Sequence, residues 1–75
     1  MTIRDLLNDC IEIQGYAKIM ICYEDTVKTV HETYNIVTAG KYLDREIYYI
    51  YPENDEAGGH IVFEVEGYKN DIENN

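Results

Sequence analysis

The sequence predicts an α+β fold, with one N-terminal helix packed on a small, mainly antiparallel sheet of about four strands. Three observations lead there. Apolar residues recur at helical spacing near the start, the period changes to two after Gly15, and turn-forming residues then divide the chain into short β-branched and aromatic runs. The 75 residues make a single domain, expected over 1–66, with an acidic tail at 67–75 expected to fray. A chain this short buries only about 60% of its unfolded surface, so each apolar face has to serve the core or a partner.

The helix begins at Thr2, whose hydroxyl caps it, with Asp5 three residues on completing a capping box and suiting the helix dipole. Ile3, Leu6, Leu7 and Cys10 form one apolar stripe, Arg4, Asn8, Asp9 and Glu12 lie away from it, and Gly15 is the expected stop. "AKIMICY" (17–23) is the first strand, Glu24-Asp25-Thr26 a turn, and "VKTVHETY" (27–34) the second strand. The spacing of Val27, Val30, Tyr34 and Val37 also fits a helix, but the Thr and Val content favours a strand. Residues 35–44 have no clean period, with one helical or 3₁₀ turn expected between Thr38 and Leu43. "REIYYIY" (45–51) is the third strand, ended by Pro52, which cannot donate to a ladder. A polar loop over 52–59 then leads to "HIVFEVE" (60–66), with Ile61, Phe63 and Val65 inward, His60, Glu64 and Glu66 outward, and Val62 breaking the alternation.

One helix covers one face of a sheet. The other face is expected to carry Met20, Cys22, Tyr48, Ile50 and Val62, an apolar and aromatic surface suited to a homodimer or another partner. The competing expectations are that segment 35–44 folds over it, or that a strongly coiled sheet partly buries both sides.

Charge is the outlying property: fifteen acidic residues against six basic ones, net −9. That balance repels nucleic acid and anionic membranes and favours basic partners, including proteins that grip nucleic acid. Glu64 and Glu66, two apart on a strand, project from one face about 6.6 Å apart. Such a row suits sites built for successive phosphates, where Arg and Lys would pair with carboxylates instead. Glu24, Asp25, Glu53, Asp55 and Glu56 fall in turns at strand ends.

Other chemistry finds little support. Cys10 and Cys22 read as free thiols in a reducing cytoplasm, and neither a signal peptide nor a membrane span is expected. "ENDEAGG" lacks the calcium-loop spacing. His31, His60, Cys10 and Cys22 lack zinc-site spacing, and a Cys22–His31 nucleophilic pair would need a third orienting group. The acids sit at outward positions and turns, without the cleft that acid–base work needs. No Walker motif, dinucleotide fingerprint or basic stripe occurs. No metal, cofactor or enzymatic activity is expected.

The helix-then-sheet order, the "TIRDLL" opening and the "YLDREIYYIY…HIVFEVE" ending resemble small proteins of phages and mobile elements in Gram-positive bacteria. In size and acidity the chain resembles type II-A anti-CRISPR proteins. That resemblance implies a cytoplasmic inhibitor in a bacterial host cell that blocks the PAM-reading or DNA-binding groove of a CRISPR effector nuclease as a DNA mimic. The charge and aromatic pattern nominates Glu53, Asp55, Glu56, Glu64 and Glu66, with Tyr48, Tyr49 and Tyr51 as neighbouring anchors. The alternative expectation is a self-associating accessory protein using the sheet face.

Overall fold

Two β-hairpins lie side by side, joined along a parallel seam, with two helical segments on one face. This computed structural model describes residues 1–9, 13, 15–56 and 58–73. The elements run α1 (Ile3–Asn8), β1 (Ala17–Tyr23), β2 (Thr26–Thr33), a 3₁₀ segment (Ile36–Asp44), β3 (Ile47–Asp55), β4 (Gly58–Glu66) and α2 (Lys69–Glu73). The α+β class holds, and the sheet is mixed. In the order β2-β1-β4-β3, both hairpins are antiparallel and the central β1–β4 pair is parallel.

The capping box forms as the sequence dictates. The Thr2 hydroxyl accepts the Asp5 N–H, and the Asp5 carboxylate accepts the Thr2 N–H at 2.9 Å. Asp9 closes α1, so the helix ends well before Gly15. Cys10 and Glu12, assigned to the helix and its flank from sequence, lie outside the described residues.

β1 occupies the span its period-two pattern marks, and 26–33 is a strand. A bulge between Ile19 and Met20 adds one residue to β2, moving the register from Tyr23↔Thr26 to Ala17↔Thr33. Residues 36–44 form 3₁₀ turns with a kink at Gly40, whose φ of 58° and ψ of −120° only glycine adopts readily. This segment lies on the same face as α1. Ile36, Ala39 and Leu43 join Ile3, Ile19, Ile21, Phe63 and Val65 in one buried cluster. It therefore leaves the opposite face uncovered, against the expectation that 35–44 closes over it.

Three boundaries differ from the sequence reading. β3 runs through Pro52 to Asp55, because it is an edge strand and the missing N–H interrupts no central ladder. The expected 52–59 loop is thus mostly paired hairpin: Glu53 opposes His60, Asn54 opposes Gly59, and Asp55 opposes Gly58. Arg45 precedes the strand and closes the 3₁₀ segment.

Within the segment expected as a tail, residues 69–73 form a helical turn, α2, with Ile72 packed on the core. The Arg45 guanidinium holds α2 from below, donating to Asp71 Oδ2 at 2.7 Å and Oδ1 at 3.3 Å, and to the Glu66 carbonyl at 3.1 Å. It sits against the rings of Tyr42 and Tyr68, 5.1 and 4.1 Å from their centroids. Gly67 makes the approach possible: its N–H donates to the Cys22 carbonyl at 2.8 Å, and a Cβ there would lie 2.9 Å from that oxygen.

Candidate interaction face and end groove

The uncovered face follows from the ladder register, since paired residues share a side. Lys18, Met20 and Cys22 on β1 align with Val62, Glu64 and Glu66 on β4. Tyr51 and Glu53 on β3 flank Val62 and His60. Glu32, Thr29 and Val27 on β2 complete the face.

The expected dimer residues are only partly brought together. Met20 and Cys22 are half-buried here, and Tyr48 reaches this side, close enough for Glu66 and Cys22 to act on its hydroxyl. Ile50 does not: a second bulge, between Ile47 and Tyr49, puts Ile50 opposite Phe63 on the helix side. Val62 is 0% exposed, flanked by Lys18 and Tyr51. The face is consequently polar and acidic rather than apolar.

The nominated acids sort by position. Glu64 lies at the centre, where it accepts bonds from the Tyr51 hydroxyl and from the Cys22 thiol at 3.4 Å. Glu53 accepts from Lys18 Nζ and pairs with His60 Nε2, both at 3.0 Å. The Lys18 bond, then the His60 bond, hold its carboxyl below the usual range. Glu66 receives a 3.4 Å bond from the Tyr68 hydroxyl. Asp55 ends β3 beside His60, and Glu56 is exposed in the hairpin turn. Tyr49 is 63% and Tyr48 48% exposed, whereas Tyr51 is half-buried against Glu64.

The Tyr51–Glu64–Cys22 arrangement suppresses nucleophilic chemistry. Burial, then the Glu64 carboxylate, push the Cys22 thiol up to about 11, and the Glu64 bond pushes the Tyr51 phenol up to about 12. Little thiolate exists at neutral pH. Cys22 and His31 sit on opposite faces, and His31 Nε2 lies 3.0 Å from Thr38 Oγ1. We expect Glu64→Gln, in a Cys10→Ser background, to bring the thiol pKa down. Iodoacetamide labelling of Cys22 at pH 8 should then accelerate about tenfold per unit of pKa lost. An unchanged labelling rate would show that Glu64 does not act on the thiol.

His60, expected outward at the surface, points to this side but is buried, its side chain 2% exposed beneath Glu53, Asp55 and Tyr16. It helps line a groove where the open end of the β1–β2 hairpin meets the turn end of the β3–β4 hairpin, with a volume of about 480 Å³, together with Tyr16, Glu32, Tyr34 and Asp55. The Tyr16 and Tyr34 rings meet at 4.9 Å, tilted 55°, and Tyr16 meets His60 edge-on at 5.5 Å. Sequence reasoning overlooked Tyr16, Glu32 and Tyr34. The available signal was the hairpin itself, since residues immediately flanking its two strands must end up side by side.

Among the described residues no three His, Cys, Asp or Glu side chains gather as metal ligands, and no helix is long and apolar enough to cross a membrane. No family model, curated protein or solved structure matches this chain.

Proposed function

We propose that the protein is a non-enzymatic, cytoplasmic binding protein that lays the uncovered face of its sheet on a cationic protein surface. The observation that carries this reading is the composition of the face. Glu32, Glu53, Asp55, Glu64 and Glu66 stand around Lys18, whose ammonium is held by Glu53, with the exposed rings of Tyr48 and Tyr49 alongside. Among the described residues, five carboxylates against one lysine give a strongly negative field, and tyrosines supply amphipathic contact area. A face so charged suits an arginine- and lysine-lined groove built for phosphates. The partner is then a nucleic-acid-processing enzyme, and a CRISPR effector nuclease is the specific candidate, inhibited by occupation of its DNA-binding surface. Apposition of two copies through this face would set Glu64 and Glu66 against their equivalents, which like-charge repulsion opposes.

A cleavage assay with purified protein added to effector nucleases of several types tests the candidate partner. Dose-dependent inhibition, weakened by higher salt and by the triple change Glu53→Gln, Glu64→Gln, Glu66→Gln, is the expected result. Unimpeded cutting by all of them removes the nuclease. A pull-down with no salt-sensitive basic partner, or a dimer by light scattering that the triple variant leaves intact, removes the docking reading altogether.

A further inference from the structure

The molecule contains its own example of how it holds a guanidinium. Arg45 is gripped by a carboxylate, Asp71, through two N–H···O bonds and lies against two tyrosine rings. The end groove holds similar parts. Tyr16 and Tyr34 form an aromatic corner, Glu32 supplies a carboxylate, Asp55 adds a second that already faces His60 Nδ1 at 3.7 Å, and no lysine or arginine lines the groove among the described residues.

We propose that this groove is a receptor for a guanidinium group, supplied by an arginine side chain or by a small guanidino compound. The volume falls in the range of pre-formed ligand sites. Tyr34 is 80% exposed, so a ring face is open for a planar cation to stack on, an arrangement guanidinium favours over ammonium. Glu32 is the first cause that raises the Tyr16 phenol, so its carboxylate lies close to that hydroxyl. Two oxygens with several lone pairs still accept a second, bidentate donor. Lys18, cross-strand from Glu32, is occupied with Glu53 at 3.0 Å. The position matters for the docking reading, on which the arginine source rests. The groove lies at the rim of the acidic face, where a single inserted arginine would fix the register of a larger charged contact.

The test is a titration of ¹⁵N-labelled protein followed by NMR, using N-acetyl-arginine amide, its citrulline analogue and an acetylated Gly-Arg-Gly-Arg-Gly peptide. Arginine amide should shift the signals of Gly15, Tyr16, Glu32, Tyr34, Gly59 and His60 saturably, and citrulline, isosteric but neutral, should not. Tyr34→Ala and Glu32→Gln should each weaken binding at least tenfold without moving the melting temperature. Tighter binding of the peptide than of the amide identifies a protein side chain as the source, and equal binding identifies a small guanidino compound. Equal shifts from arginine and citrulline, shifts centred on Glu64 and Glu66, or native affinity in both variants would overturn the proposal. The two readings separate cleanly. Arginine shifts that survive in the Glu64→Gln, Glu66→Gln variant keep the groove even when no basic protein is captured. A basic partner held equally by native and Tyr34→Ala protein removes the groove as the arginine's seat and leaves the docking face.

Discussion

Asp71→Asn should unfold most of the protein at 25 °C. The substitution leaves the Arg45 charge in a site where its side chain is 8% exposed and that of Asp71 3%. Breaking such a pair costs about 3–5 kcal/mol, as much as the net stability of a domain this small. The neutral amide keeps one acceptor, but it also turns an N–H donor toward a guanidinium that has only donors. Urea denaturation followed by circular dichroism measures the loss. The double change Arg45→Met, Asp71→Leu should restore much of the stability, because buried ion pairs are often replaceable by apolar residues of similar volume. A stable Asp71→Asn protein would mean that α2 contributes nothing to the fold.

The same ion pair sets the acid limit. The Arg45 bonds, despite burial, hold the Asp71 carboxyl below its ordinary value of 3.8. Asp5, Asp44 and Glu53 are held below their ordinary values too, by Thr2, Arg4 and Lys18 respectively as the first cause. For each, the folded-state pKa lies under the unfolded one. Their stabilisation is therefore complete above the unfolded pKa, near pH 4 to 4.5, and disappears as pH falls through the folded values. Denaturation midpoints should be flat from pH 5 to 7 and drop below about pH 4.

Phe63→Ala is the second large effect. Phe63 is the largest fully buried side chain, 1% exposed at the centre of β4 between Ile19 of β1 and Ile50 of β3. Truncating a buried Phe to Ala costs about 3–5 kcal/mol in lost burial and residual cavity. Thermal melts should show a non-cooperative or absent transition. Phe63→Leu, which keeps much of the volume, should cost only about 1–2 kcal/mol and stay folded. If Ala and Leu destabilise equally, packing at this position is looser than the burial indicates.

What the sequence revealed was local. The Thr2–Asp5 cap, the alternation of 17–23 and the inward set Ile61, Phe63 and Val65 each depend on neighbours a few residues away. What it hid was set by partners far along the chain. Pro52 stops a central strand but not an edge strand, and nothing within its own window says which β3 is. Arg45 and Asp71 are 26 residues apart. His60 reads as an outward polar residue because its coverage comes from Tyr16 and Glu53. At the candidate face, Glu64 and Glu66 fell where alternation put them, while Ile50 changed side because a bulge reset the phase of β3. The tyrosine corner depends on the other bulge. An unbroken Tyr23↔Thr26 register would have set Tyr16 opposite Thr33 rather than Tyr34.

The parallel seam between β1 and β4 has a consequence for how the protein comes into being. An isolated two-stranded ribbon is marginal in water, so neither half is expected to persist alone. The seam joins residue 17 to residue 61, and its last ladder partner is Glu66. On a ribosome the N-terminal half must wait, uncommitted, until residues 61–66 have emerged. Maturation is then a single late event, and a stalled or shortened translation product has no partly finished form to fall back on.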